Sequence, residues 1–189
     1  MPHSVNVAMS ESQAAFHNLV VPPLLNLLGG GTVLPVEGAV GELEQKLDRE
    51  AGIDSVMFSE RGVYGIASRI QFDENYRSFT VRKKRHSGKQ TEWEKLLQAK
   101  SSGAMTPSLT VQAYVDRANM RLFDAAVICT PDLVRWIENN PCETKTTGSR
   151  IILTKRLFQT LDGLDRKTVS IVRRFYRKIT LLDVSSIIR

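Results

Sequence analysis

Two clusters of Lys and Arg give this sequence its clearest chemical signal. The first cluster packs five cations into residues 82–89: Arg82, Lys83, Lys84, Arg85 and Lys89. The second falls on one side of a predicted C-terminal helix: Arg173, Arg174, Arg177 and Lys178. Clustered cations bind the phosphates of a nucleic acid because binding releases the counterions of the phosphate backbone. These nine residues are therefore the predicted nucleic-acid contacts.

The charge is segregated along the chain. Residues 145–189 contain eleven Lys and Arg against three Asp, a net charge of +8. The 15 basic and 17 acidic residues of positions 1–144 leave that part at −2. A field of one sign favours an anionic partner. The alternatives are that residues 82–89 form a solvated hairpin tip, and that the C-terminal cations form a solvated helix face or dock on an acidic protein.

Other chemistry-bearing residues are scattered. Neither metal-ligand spacing nor a Cys-x-x-Cys pair occurs among the histidines and cysteines, which are His3, His17, His86, Cys129 and Cys142. Gly29-Gly30-Gly31 is not followed by Lys-Ser or Lys-Thr, and neither G-x-G-x-x-G nor G-x-S-x-G is present. A zinc site, a disulfide framework and a P-loop are therefore not expected.

The composition is that of a folded protein that does not enter membranes. Its 189 residues are 42% hydrophobic and 24% charged, which suits one domain with an appendage. The longest apolar run, residues 20–28, is interrupted by Pro22 and Pro23 and is too short to span a bilayer. The N-terminus lacks a Lys or Arg before its first apolar stretch, unlike a secretory signal. A cytoplasmic protein is expected.

Capping signals predict the helices that would position these groups. Capping-box spacing at Ser10 and at Thr91 predicts two helix starts, and the first helix should end at Val21 before the prolines. Residues 41–50 predict another helix that ends at Gly52. A further helix should begin at Thr130-Pro131.

Apolar runs and alternation predict five strands, over residues 53–58, 63–72, 79–82, 109–115 and 125–129. Together with the helices they indicate an α/β fold with a central mixed sheet flanked by helices, over residues 1–140. Residues 141–150 are predicted as a loop or linker because 143–149 contain no apolar residue. Residues 151–189 are predicted as a basic, α-rich C-terminal extension.

One segment resembles the core of the PD-(D/E)XK, or restriction-endonuclease-like, nucleases. It runs from Gly52-Ile53-Asp54 through a short strand and the turn Glu60-Arg61-Gly62 to a second strand with Gly65-Ile66-Ala67-Ser68-Arg69. The family places an aspartate at the start of one strand and an acidic-x-lysine triplet on the next. Two carboxylates then hold magnesium against the scissile phosphate, and the lysine assists the attacking water. The resemblance covers about residues 10–115, with elements in strand-strand-strand-helix-strand order.

The resemblance assigns roles residue by residue. Asp54 takes the place of the metal-binding aspartate, but Ala67 stands where the second carboxylate belongs and Arg69 where the lysine belongs. Gln71 shares the strand face of Arg69 and could replace the missing acid. The resemblance thus implies Asp54, Arg69 and Gln71 as catalytic candidates, with Asp54 as a ligand of Mg²⁺ or Mn²⁺. Further carboxylates would come from the helices: Glu11, Glu44 or Glu50.

The predicted function is nucleic-acid binding on a nuclease-like scaffold, of the kind found in genome-defence and mobile-element systems. Cleavage is expected to be weak or absent, because alanine cannot bind a cation and arginine stays protonated. DNA is favoured over RNA as the partner. Three alternatives stay open: a basic protein-interaction subunit of a hetero- or homo-oligomer, an active metal-dependent endonuclease, and an unrelated small-molecule enzyme.

Overall fold

The centre of the fold is a five-stranded mixed sheet with helices on both faces. The structure is a computed structural model, and it describes residues 11–36, 41–42, 46–75, 79–83, 90–139, 143–145 and 150–152. Residues 11–28 are helical and contain a π-helical turn, Phe16–Val20, followed by α1 (Val21–Leu28); a second π-helical turn is Leu47–Ala51. The other helices are α2 (Glu92–Ser102) and α3 (Thr130–Asn139). The strands are β1 (Thr32–Pro35), β2 (Ser55–Ser59), β3 (Gly62–Phe72), β4 (Thr80–Arg82), β5 (Leu109–Asp116), β6 (Arg121–Cys129), β7 (Glu143–Lys145) and β8 (Arg150–Ile152).

The main sheet has the strand order β1-β2-β3-β5-β6. All neighbouring strands are antiparallel except β3 and β5, which are parallel because the chain returns through α2 between them. Strands β4, β8 and β7 form a separate antiparallel sheet of three strands. The predicted α/β class, with a mixed sheet flanked by helices, is confirmed.

Alternating side chains of the sheet build two separate cores. On one face, the helical residues 11–28 bury Phe16 and Leu24 against the β5 residues Val111 and Ala113. The other core lies on the opposite face: Phe79, Val81, Trp93, Leu96, Tyr114, Ala126, Leu133, Val134 and Ile137. Strand β4 is thereby packed against α2 through Val81, its one apolar residue.

The first helix does not end before the prolines as predicted. Pro22 and Pro23 occupy the first turn of α1, where the backbone N–H that proline lacks has little need of a helical partner. A π-helical turn precedes them, and the N–H of Val21 donates to the carbonyl of Phe16. The helix therefore continues to Leu28 and ends at Gly29, whose φ of 90° only glycine adopts without strain.

Two strand assignments also differ from the sequence analysis. Residues 79–82 were expected as a strand of the central sheet, but β4 joins the smaller sheet, and β3 pairs directly with β5. Residues 143–145, predicted as part of a linker, form β7. Among the described strands it lies at the edge of its sheet and pairs with β8 alone, so it needs no apolar run of its own.

Several predicted residues lie outside the part of the chain that the structure describes. They are Glu44, Lys84, Arg85, Lys89, Arg173, Arg174, Arg177 and Lys178. Within the described part, no helix is long and apolar enough to cross a membrane.

His17 should make the stability of the fold depend on pH. Burial lowers the pKa of His17 below its ordinary value of 6.5, so the unfolded chain binds a proton more readily than the folded one. Stability is then full above about pH 6.5 and declines as the pH falls from there toward the lowered folded-state pKa. Urea denaturation at pH 7.5 and 5.5 should show a smaller loss for His17→Phe than for the wild type. Equal losses in both proteins would exclude this role for His17.

Candidate nucleic-acid interface

The smaller sheet aligns three basic residues that are far apart in sequence. Arg82 of β4 is the cross-strand partner of Arg150 of β8, and Arg150 is the partner of Lys145 of β7. We call Arg82, Arg150 and Lys145 the cation row. Like charges at directly opposite positions destabilise a sheet, and a bound anion removes that cost. The row is therefore a candidate contact for phosphate.

Sequence reasoning identified only one member of the cation row. Arg82 was a predicted contact, whereas Lys145 and Arg150 were assigned to the linker. No local signal pairs residue 82 with residue 150, because the register belongs to two segments that are distant in the chain. Lys83, the other described member of the first basic cluster, follows β4 directly and is exposed.

Glu92, the first residue of α2, places a carboxylate next to β4. Its Oε2 accepts hydrogen bonds from the backbone N–H of Arg82 at 3.3 Å and from Nη1 of Arg69 at 3.2 Å. A capping box fixes the start of α2, as predicted. The backbone N–H of Glu94 donates to the Thr91 hydroxyl at 3.2 Å, and the backbone N–H of Thr91 donates to Oε2 of Glu94 at 2.7 Å. Glu92 is thereby held between the two sheets.

Arg69 connects the main sheet to β4. Its Nη1 donates to the backbone carbonyl of Thr80 at 3.1 Å as well as to Glu92, and its side chain is 19% exposed. On β5, Gln112 is the cross-strand partner of Arg69, and its Oε1 accepts from the Thr80 hydroxyl at 3.1 Å. The two side chains thus connect the main sheet to β4 through hydrogen bonds. Arg69, at a position predicted to be catalytic, therefore has a structural role.

Asp54 lies where β2 and β3 separate. Strand β2 pairs with β3 only as far as Ile66, while β3 continues to Phe72. Beyond that last pair, Oδ2 of Asp54 accepts from the backbone N–H of Ser68 at 2.6 Å and from the Ser68 hydroxyl at 3.3 Å. The carboxylate therefore replaces the backbone carbonyl that a longer β2 would have offered to β3.

The other predicted catalytic residues follow Asp54 along β3. Arg69 and Gln71 occupy alternate positions of the strand, as the predicted shared face requires. Nε2 of Gln71 approaches Oε2 of Glu74 at 3.5 Å in an exposed pair. Ala67 has no group that could bind a cation. The structure thus places Asp54 beside β3, the strand that contains Arg69. Ala67 leaves the position of the second metal-binding carboxylate without an acid.

The described residues do not fit a magnesium site. Among them, no group of three or more His, Cys, Asp and Glu side chains could hold a metal ion. Glu11, one of the predicted helix carboxylates, instead forms an ion pair with Arg117 at 3.1 Å, and Arg117 stacks on the ring of Phe72 at 4.5 Å. Glu50 is exposed in the π-helical turn before β2.

Comparisons with known proteins identify no relative. No family model matches the chain, and searches of curated proteins and of solved structures found no match either.

Proposed function

We propose that this protein binds nucleic acid through the cation row and the two basic clusters. The observation that carries the proposal is the register of the smaller sheet, which aligns Arg82, Arg150 and Lys145. Contacts of this kind go to the phosphate backbone and carry no sequence information of their own. Binding of this type is strong at low salt and weakens steeply as salt is added.

The first basic cluster and the C-terminal segment each follow a strand of the smaller sheet in sequence. Residues 82–89 begin at Arg82, the last residue of β4, and the C-terminal segment begins after Ile152, the last residue of β8. Because Ile152 pairs with Thr80, these two starting points are two residues apart along the sheet, roughly 7 Å. Both segments therefore continue from strands that contribute to the cation row.

The main sheet supports the nuclease-like scaffold as part of the proposal. Within the main sheet, strands β1, β2 and β3, helix α2 and strand β5 come in strand-strand-strand-helix-strand order, although residues 79–82, the third strand of the resemblance, lie in the smaller sheet. Asp54 directly precedes β2. A role in genome defence or in a mobile element belongs to this proposal, as does the preference for DNA over RNA.

We propose that cleavage is absent or weak. Asp54 is hydrogen-bonded to Ser68, and Arg69 is engaged by Glu92 and Thr80. Among the described residues, no cluster of three or more metal-ligating side chains includes Asp54, and Ala67 stands where the resemblance places the second carboxylate. The chain's own residues thus favour holding a phosphate over attacking it.

The experiment replaces the cation row with glutamine and measures binding to a labelled 20-base-pair DNA between 50 and 300 mM salt. Losing three phosphate contacts should reduce the slope of log K against log salt by about 2.7 and weaken binding at 150 mM salt on the order of tenfold. The matched control replaces three exposed cations on other elements with glutamine: Lys46, Arg121 and Arg135.

Two results would contradict the proposal. If the wild type does not bind DNA or RNA at 50 mM salt, the nucleic-acid function is wrong and the protein-interaction subunit becomes the better explanation. If the control loses as much affinity as the row variant, net charge alone determines binding and the row is no specific contact. A duplex RNA of the same length tests the preference for DNA.

A further inference from the structure

We infer that the Glu92 carboxylate occupies a phosphate subsite of this interface, and that a phosphate of the bound nucleic acid displaces it. The inference rests on the proposed function and names one contact within it. Nucleic-acid binding would then exchange the Glu92 contact of Arg69 for a phosphate contact.

The donors around Glu92 are those that hold phosphate oxygens in proteins. A guanidinium N–H from Arg69 and a backbone N–H from Arg82 converge on one oxygen, at 3.2 and 3.3 Å. Charge-assisted bonds from arginine and bonds from backbone N–H groups are the common means of binding phosphate. An oxygen in this position is therefore recognised by charge and by hydrogen bonding, whether it belongs to a carboxylate or to a phosphate.

The two partners of the ion pair differ in how firmly the fold holds them. The Glu92 side chain is 44% exposed, so it can turn into water at little cost once its partner is taken. The Arg69 side chain is 19% exposed and donates to the Thr80 carbonyl as well. Arg69 therefore stays in place when Glu92 leaves, and the subsite is preformed for the incoming anion.

The surroundings favour a chain of negative charges over a single carboxylate. Arg82, whose N–H contacts Glu92, is also the first member of the cation row. A phosphodiester at this point continues along a chain of further phosphates, and the adjacent basic residues can contact those at the same time. Glu92 offers a single carboxylate, so the nucleic acid gains contacts that Glu92 does not make.

The test compares two variants that each remove one negative charge. Glu92→Gln removes the negative charge that contacts Arg69, while its amide oxygen can still accept from the N–H of Arg82. Glu138→Gln is the matched control, because Glu138 lies on α3 in an ion pair with Lys100 and its side chain is 34% exposed. Affinity for the labelled DNA should rise several-fold in Glu92→Gln and clearly less in Glu138→Gln. The salt slope of Glu92→Gln should stay close to that of the wild type, because the same phosphate contacts Arg69 in both complexes.

A second substitution ties the gain to Arg69. In Glu92→Gln combined with Arg69→Met, the added affinity should be lost and the salt slope should fall by about 0.9, because the phosphate contact of Arg69 is then absent. Thermal denaturation of each variant checks that the fold is retained.

Equal behaviour of Glu92→Gln and Glu138→Gln, while the wild type binds DNA, would overturn the subsite and leave the proposed function standing. Weaker binding by Glu92→Gln would also overturn the subsite, since Glu92 would then serve only to position β4. Absence of binding by the wild type would overturn the proposed function as well.

Discussion

Asp54→Ala is expected to lower the free energy of unfolding by about 2 kcal/mol, whereas Asp54→Asn should cost less than half as much. The carboxylate accepts two hydrogen bonds from Ser68 at the point where β2 stops pairing with β3. Alanine leaves the N–H of Ser68 without its acceptor, while the amide oxygen of asparagine can still accept from it. Urea denaturation of the three proteins measures the difference.

The same pair of variants separates the structural role of Asp54 from a chemical one. We expect no efficient nicking of plasmid DNA by the wild type with Mg²⁺ or Mn²⁺, and any residual nicking should vanish in both variants, because neither side chain supplies the negative charge that a metal needs. DNA binding should persist in both, since loss of a carboxylate removes repulsion from phosphate.

Three outcomes would count against this account of Asp54. Robust turnover by the wild type would show that Ala67 and Arg69 do not impair cleavage. Nicking that survives in Asp54→Ala would locate the active site elsewhere. A fully stable Asp54→Ala protein would mean that its hydrogen bonds to Ser68 contribute little to the fold.

Gly31→Ala should destabilise the protein by about 3 kcal/mol, the largest loss expected from any single methyl group added here. Gly31 has a φ of 128°, which L-residues rarely adopt, and an added Cβ would overlap the backbone carbonyl oxygen of Phe58. The same Cβ would lie 3.2 Å from the Cβ of Ser59. Relief would require β1 to move away from β2, which would break their pairing at the edge of the sheet.

Gly30→Ala is the control for Gly31. Gly30 also has a positive φ, 97°, but an added Cβ would meet nothing within 4 Å. Gly30→Ala should therefore lower the free energy of unfolding only by the cost of the left-handed backbone conformation, about 1–2 kcal/mol. The midpoint of urea denaturation for each variant gives the comparison. Equal losses at the two positions would mean that the contact with Phe58 is relieved without cost.

Local signals in the sequence predicted much of the fold. The capping box at Thr91 and Glu94 was predicted correctly, because its hydrogen bonds join residues within one turn. The β2–β3 hairpin was also predicted, since its strands are joined by the short turn that ends at Gly62. The prolines were misjudged because their effect depends on whether they fall in a first turn or in a helix interior, which the preceding π-helical turn decides.

The candidate site depends on contacts that the sequence does not reveal. Alternation predicted residues 79–82 as a strand but could not indicate that its partner would be β8. The engagement of Arg69 by Glu92 joins residues 23 positions apart on different elements, and its sequence signal is only that both are charged. Pairing between distant segments is determined by the packing of the whole chain, so the cation row became visible only in the structure.

The pairing of β4 with β8 also sets an order of assembly during synthesis. All five strands of the main sheet are complete by residue 129, whereas β4 must wait for residues 150–152. Chains emerge from the ribosome with the N-terminal part first, and contacts between distant segments close late because ordering the intervening loop costs entropy. The main sheet can therefore form while the cation row does not yet exist. A nascent chain would thus align these three basic residues only after its core has been made.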